Sequence, residues 1–338
     1  MSQINDLLFS IIIPAHNAEL YLERCVDSVV EQSYEKKEII IVENGSTDST
    51  YNVASHLAEK YKIIKIVTTQ ESGVSNARNL GLLEASGEVI GFCDADDYYM
   101  PGILDNVFNN FILTGADLVV CGIHKISTEG ETDDACYEES GKVWNGEKFI
   151  TKVLLDDRVM GSVWNKFFKR DLIKNRIQDT LKCKFDTQLM LCEDTHFNVQ
   201  VVKLNDGITI SYTDYIGYAY NVNVPSSATN SVERMFKTHK SNYILAYELI
   251  EKDFILTPTE KKCVDSKMAW FSQAMIRLLC ENSQINGFKI KYKLLKKTLI
   301  LNLKSYIFCS EIPRRTRLKF IFSCGLNMPI YFMRRVMK

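Results

Sequence analysis

The stretch LLFSIIIPAHN, Leu7–Asn17, decides how this chain is read. A nearly continuous apolar run stops at Pro14, and small or polar residues follow it. A strand with one wet face alternates apolar and polar residues, so a run this solid belongs to a strand covered on both faces. The pattern returns three times. Glu38–Val42 stops at Glu43-Asn44-Gly45, Ile63–Val67 is the third run, and Glu88–Cys93 stops at Asp94. Their ends lie about 25 to 30 residues apart, the spacing of βαβ units. Between them, Ala18–Glu31 puts Leu22, Cys25, Val26 and Val29 on one helical face. Asp48–Tyr61 reads as a second helix, with Ser46 or Thr47 as its expected cap. These residues predict an α/β domain built on a buried, mostly parallel sheet.

In open α/β sheets ligands bind beyond the carboxyl ends of the strands. Those ends carry Pro14-Ala15-His16-Asn17, Glu43-Asn44 and the acidic run Asp94-Ala95-Asp96-Asp97. No G-x-G-x-x-G follows the first strand, and no G-x-x-x-x-G-K-[ST] occurs anywhere. Dinucleotide dehydrogenases and P-loop kinases need those glycines to bring backbone N–H groups onto phosphates, so both classes are excluded. Phosphate charge must be met another way. A divalent cation bridging carboxylates does so, and Mg²⁺ or Mn²⁺ takes one or two carboxylates together with diphosphate oxygens.

Four blocks in order now carry a resemblance: SIIIPAHN (Ser10–Asn17), EIIIVENGSTD (Glu38–Asp48), GVSNARNLG (Gly73–Gly81) and GEVIGFCDADD (Gly87–Asp97). Together they resemble the family-2 glycosyltransferases, inverting nucleotide-sugar enzymes of the GT-A fold. WNKFFKR (Trp164–Arg170) and EDTHF (Glu193–Phe197) resemble blocks of the bacterial members that build surface polysaccharides such as capsule or lipopolysaccharide. The likeness covers roughly residues 8–230.

The resemblance implies a role for each matched residue. Pro14 and His16 would line the base pocket, with the His16 ring where the family often has a stacking Tyr, and Ala15, Asn17 and Glu43 would be further donor-binding residues. Asn44 would accept a hydrogen bond from uracil N3–H where the family usually has Asp. An amide oxygen accepts that bond without the charge assistance of a carboxylate. Arg78 would face the diphosphate or sugar, and Lys166 would point toward the site. Asp94 and Asp96 form the D-x-D that holds Mn²⁺ or Mg²⁺, with Asp96 in direct contact and Ala95 between them. Asp194 would be the catalytic base, with Glu193 beside it. After Tyr218-Ala219-Tyr220 related enzymes often carry Arg, but this chain has Asn221 and Asn223. The expected reaction moves a hexose or N-acetylhexosamine from a UDP-sugar to a hydroxyl of a lipid-linked surface glycan.

Chemistry asks for the same parts. A metal on the D-x-D stabilises charge as the diphosphate leaves, and inversion needs a separate base for the acceptor hydroxyl. Two other readings stay open. A sugar nucleotidyltransferase shares the layout but needs a Gly- and Arg-rich phosphate loop, which Pro14–Tyr21 lacks. A non-catalytic glycan- or nucleotide-binding protein is kept open by Asn44, Asn221 and Asn223.

Working outward, three regions are expected: a nucleotide-sugar-binding half (1–115), an acceptor-binding half (116–230) and a helical, basic region (231–338). In the second, Ala116–Ile126 reads as a strand, Glu129–Gly141 as an acidic loop and Met160–Arg170 as a strand-bearing segment. In the third, Ser266–Cys280 has helical periodicity. The 338 residues are 46% hydrophobic and 25% charged, which suits a chain with a large core. The formal net charge of −1 is unevenly spread. From Gly287 onward thirteen Lys/Arg face one acid, Glu311, a net of +12 that leaves −13 on the preceding residues. KIKYKLLKK (Lys289–Lys297) and RRTRLK (Arg314–Lys319) interleave this charge with large apolar residues, the pattern of a helix lying on anionic lipid. Nucleic acid fits the charge but no recognition motif accompanies it. The ten cysteines show no CxxC pair, as expected of a reducing cytosol. The opening residues lack the features of a signal peptide and no apolar run is long enough to span a bilayer. The expected place is the cytoplasm, on the inner face of the membrane.

Overall fold

The computed structural model describes residues 7–126, 132–135, 142–156, 160–175, 177–222, 232–238 and 241–325. The four apolar runs become β1 (Phe9–Ala15), β2 (Lys37–Glu43), β3 (Ile64–Thr68) and β4 (Val89–Phe92), separated by α1 (Leu22–Val30), α2 (Thr50–Lys60) and α3 (Val74–Glu84). β5 (Tyr98–Tyr99), α4 (Ile103–Thr114), β6 (Leu118–Ile126), β7 (Thr132–Ala135), β8 (Val143–Asn145), α5 (Gly146–Leu155) and β9 (Lys166–Lys169) follow. A small hairpin, β10 (Lys174–Asn175) and β11 (Thr180–Leu181), leads to α6 (Glu193–Lys203) and the long β12 (Thr209–Asn221). The chain then turns helical: α7 (Val232–Met235), α8 (Asn242–Asp253), α9 (Pro258–Glu281), α10 (Phe288–Ile307) and α11 (Arg314–Gly325).

The main sheet runs β3-β2-β1-β4-β9-β6-β12-β5, with β7 on β6 and β8 on β12. β1 to β4 pair in parallel, and β9 enters antiparallel between β4 and β6. The solid apolar runs have a simple cause. Ile11, Ile13, Ile39 and Ile41 pack on one side with α1, α2 and α4, while Ile12, Ile40 and Val42 pack on the other with α3, α5 and α6. That second core continues without a break into Ala269, Leu295 and Leu303 of the C-terminal helices. α3 lies very close to β1, because a Cβ on Gly81 would come within 2.4 Å of Ile12 Cγ2.

Two expectations change in detail. The cap position of α2 is Ser49, not Ser46 or Thr47, and its side chain makes no capping bond; the Asp48 carboxylate just before it accepts from the Thr50 N–H at 3.0 Å. Ser46 and Thr47 are engaged with Asn17 across the sheet end: the Asn17 N–H donates to Ser46 Oγ, and Thr47 N–H to Asn17 Oδ1. The described part of the acidic 129–141 segment is a strand, β7, paired antiparallel with β6. The rest of that loop, Asn223, His239 and residues beyond 325 lie outside the described residues. The nine cysteines among the described residues form no disulfide. His196 joins α6 to α8 by bonding Asp253 at 3.2 Å.

Candidate functional site

The carboxyl ends of β1, β2 and β4 meet where the strand order turns, with β1 between the other two. At the β2 end, the Asn44 N–H donates to the Ala15 carbonyl (2.9 Å), and the Asn44 carbonyl lies 2.8 Å from His16 Nδ1. The Asn44 amide nitrogen donates to the Gly73 carbonyl at 3.0 Å. That carbonyl fixes the amide's orientation, since the reverse would set oxygen against oxygen. Asn44 Oδ1 is then buried with no hydrogen-bond partner among the described residues. A buried acceptor left unmet is costly and marks a place for a donor. The exposed His16 ring stands beside it. Glu43 and Asn17 do something else: their carboxylate and amide oxygens accept backbone N–H groups of Ser46 and Thr47 and so set the loop's shape.

At the β4 end the acidic run divides its labour. Asp97 is buried and accepts from the Tyr218 hydroxyl and the Asn221 N–H, both at 2.7 Å. Tyr218 accepts in turn from the Asp94 N–H at 3.1 Å. β12 therefore holds the D-x-D loop, a link the sequence reading missed, although Tyr218 stands in the quoted Tyr218-Ala219-Tyr220. Trp164 is stacked between Tyr218 and Tyr220, at ring distances of 4.4 and 5.4 Å. Asp96 differs from Asp97. Arg24 donates to its main-chain carbonyl, and no ion pair reaches its carboxylate among the described residues. Burial and the neighbouring Asp94 push the Asp96 carboxyl up to about 6.

The centre of the site is Arg78. α3 buries it completely, with its guanidinium over the Phe185 ring at 5.3 Å. It donates to Asp94 Oδ1 at 2.9 Å, Glu193 Oε1 at 3.1 Å and Asp194 Oδ1 at 2.7 Å. One cation thus gathers carboxylates from β4 and from the first turn of α6. Cys192, in the left-handed region at φ 61°, starts that helix. Glu193 and Asp194 are no solvated helix end: their side chains are only 13% and 15% exposed. The Val163 N–H holds Asp194 Oδ2 at 3.1 Å. Burial pulls Arg78 toward neutrality, but Asp194, Asp94 and Glu193 outweigh it and raise its pKa. Burial, with Glu193 and Asp94 adding to it, pushes the Asp194 carboxyl up to about 7 against the pull of Arg78.

Arg78 therefore spends its charge on carboxylates, where the sequence reading turned it toward diphosphate or sugar. Lys166 is fully buried and feels the charge of Asp194, its ammonium donating to the Ser162 carbonyl at 2.5 Å and Asn165 Oδ1 at 2.9 Å. Burial lowers its pKa to about 7. Asn79 exchanges two bonds with the Phe185 backbone, at 2.9 and 2.8 Å, and so fixes the loop that leads to Glu193. Its signal was its place beside Arg78 in the GVSNARNLG block.

Among the described residues no group of three His, Cys, Asp or Glu side chains surrounds a metal position. Asp94 and Asp96 alone still suit a hard divalent ion, which completes its shell with diphosphate oxygens and water. Burial, more than Asp94, raises the Asp96 pKa, and a cation there would offset the cost of keeping its carboxylate charged. A separate cleft of 540 Å³, lined by Trp144, Lys203 and Glu260 among others, opens where β12 begins. It contains none of these residues, and its Lys203–Glu260 ion pair at 2.5 Å is already complete.

Comparison with known proteins agrees with the geometry. Residues 10–177 match the model of glycosyl transferase family 2, and the chain belongs to that family. It is 28% identical to the uncharacterized glycosyltransferase EpsJ of Bacillus subtilis, over 66% of this chain and 63% of that one. It is 31% identical to the minor teichoic acid biosynthesis protein GgaB of the same organism, over 54% of this chain and 20% of GgaB. The aligned part thus spans less than two thirds of either relative. The crystal structure of S. aureus TarS 1–349 with UDP-GlcNAc shares the fold at a TM-score of 0.61 and 18% identity, covering 94% of this chain and 87% of that one. The fold is that of the GT-A glycosyltransferases.

Proposed function

We propose that this chain is a metal-dependent, inverting glycosyltransferase that passes a hexose or N-acetylhexosamine from a UDP-sugar to a hydroxyl of a surface glycan. Its acceptor would be lipid-linked, and the enzyme would sit peripherally on the cytoplasmic face of the membrane. One observation carries the reading: Arg78 ties the D-x-D carboxylate Asp94 to Asp194, which lies 116 residues beyond Arg78. Sugar transfer needs a leaving-group side and a base side within one cluster, and chance packing seldom buries three carboxylates around one guanidinium.

In this mechanism His16 stacks on the base while Asn44 Oδ1 accepts the uracil N3–H. The UDP-GlcNAc bound by TarS favours a uridine donor. Asp94 and Asp96 would hold Mn²⁺ or Mg²⁺, which as a Lewis acid offsets the charge of the departing diphosphate. Asp194 takes the proton of the acceptor hydroxyl as its oxygen bonds to the anomeric carbon and the bond to the UDP oxygen breaks. A pKa near 7 suits that task, since a base is most effective close to working pH. Arg78 orients Asp194 and draws its pKa down against burial and the neighbouring carboxylates.

The test is thermal stabilisation by UDP, GDP, CDP and dTDP, each with Mn²⁺ and with EDTA. A ligand at one hundred times its Kd adds about 2.7 kcal/mol. The expected result is a shift with UDP that EDTA removes, followed by sugar release from a UDP-sugar panel. A shift without any turnover would favour the non-catalytic reading, and no shift with any nucleotide would overturn the donor site.

A further inference from the structure

We infer that the outward face of α10 is a docking surface that lies flat on an anionic lipid bilayer. The inference rests on the peripheral-membrane reading above and assigns the surface responsible for it. α10 contains no acidic residue. Lys289, Lys293, Lys296, Lys297 and Lys304 are all exposed, and so are Ile290, Ile300, Leu301 and Phe308 at its end. At 100° per residue these nine positions fall within an arc of about 140°.

The opposite face belongs to the core. Leu295, Leu299, Leu303 and Tyr306 are buried. Lys291 turns inward as well, its ammonium donating to the Phe236 carbonyl at 2.9 Å and to that of Thr238. The helix therefore sorts its six lysines, sending one to backbone carbonyls and five outward. Solvation of a basic helix explains exposed lysines. It does not explain Ile290 at 66%, Leu301 at 68% and Phe308 at 59% exposure on the same side.

A partner for this face must offer negative charge and an apolar layer at the same depth. The headgroup and acyl boundary of an anionic bilayer offers both, with lysine stems reaching along the apolar side chains to the phosphates. Nucleic acid would meet the lysines and leave the apolar residues wet. The next helix, α11, adds Arg314, Arg315 and Lys319 with an exposed Leu318, so the charge continues past the turn.

The test uses the full chain in co-sedimentation with phosphatidylcholine vesicles, with and without phosphatidylglycerol. Three variants are compared: K293Q/K297Q/K304Q, I300S/L301S, and R314Q/R315Q/K319Q as the α11 control. Each lysine at such a surface is worth roughly fivefold in partitioning, so the first triple should lose on the order of a hundredfold. The serine pair should bind weakly even at low salt, and the α11 triple should lose less than the α10 triple. Thermal midpoints close to wild type would show that exposed positions were changed without unfolding. Anionic binding that survives both α10 variants overturns the face and leaves the membrane reading standing. No binding to either vesicle overturns both. Self-association in ultracentrifugation that only the α10 variants abolish, without vesicle binding, would give the face to a second copy and overturn the proposal.

Discussion

Replacing Arg78 by Met removes the cation that Asp94, Glu193 and Asp194 share. Breaking a buried ion cluster on one side costs about 3–5 kcal/mol, because the partner charges stay behind. The cost should depend on pH in a fixed direction. Asp194 has a folded pKa near 7, above the unfolded carboxylate range. Between about pH 4 and 7 the folded state thus holds more protons, and this group's contribution to stability falls as pH rises. At pH 5.5 the folded Asp194 is largely neutral and needs Arg78 least, whereas at pH 8 it is ionised. Arg78→Met should therefore cost more at pH 8 than at pH 5.5 in urea titrations, and Asp194→Asn added to it should recover part of the loss. An equal cost at both pH values would mean the guanidinium acts through packing on Phe185. Asp194→Asn alone should lower kcat by about 10²–10⁴ and leave UDP binding in place. In the wild type kcat/KM should rise with a midpoint near pH 7, and the variant's residual rate should lack that limb.

At the level of elements, α3 serves as both a packing unit and the carrier of Arg78, and Gly81 on it meets Ile12 of β1. Gly81→Ala should cost about 1–3 kcal/mol by forcing the helix off the sheet. It should also lower kcat beyond what stability explains, since Arg78 moves with the helix. A comparison of similar cost is Thr257→Ala, which breaks the capping box of α9 for about 1 kcal/mol and should leave turnover intact. Equal losses of kcat in the two variants would remove α3 from the site's support. The same contrast explains what was legible in the sequence. β1, β2, β3 and β4 begin and end within two residues of their apolar runs, because burial on both faces leaves a local signature. The D-x-D and Glu193-Asp194 stand out as short acidic runs at element ends. The choice of partner for Arg78 has no local signature, because two of its three acceptors come from another helix more than a hundred residues away. Lys166 is the opposite case: it donates to Ser162 and Asn165, near neighbours in sequence that composition does not flag, while Asp194 acts on its charge from the site.

Over the whole molecule, the C-terminal helices are continuous with the sheet's core. Phe92 on β4, Phe197 on α6, Tyr247 on α8 and Leu299 on α10 belong to one apolar cluster. Polar ties run the same way, from His196 to Asp253 and from Lys203 to Glu260, joining α6 to α8 and α9. α6 is the element whose first turn holds Glu193 and Asp194, so the helical layer braces the same helix that Arg78 holds from the sheet side. A structure linked in this way should unfold as one cooperative unit, although chains of this length often divide into domains that melt apart. The three tryptophans allow a direct check. Trp164 sits in the stack beside the D-x-D loop, and Trp270 lies on α9 against Phe271. A W144F/W270F chain reports on the site, and a W144F/W164F chain reports on the helical layer. Both should give the same urea midpoint by fluorescence once each is corrected for its own substitutions. If Trp270 changes at lower urea while Trp164 holds, the helical layer melts separately. α6 would then be braced from the sheet side alone, and kcat should fall in step with the Trp270 transition only if the helical layer sets the position of Asp194.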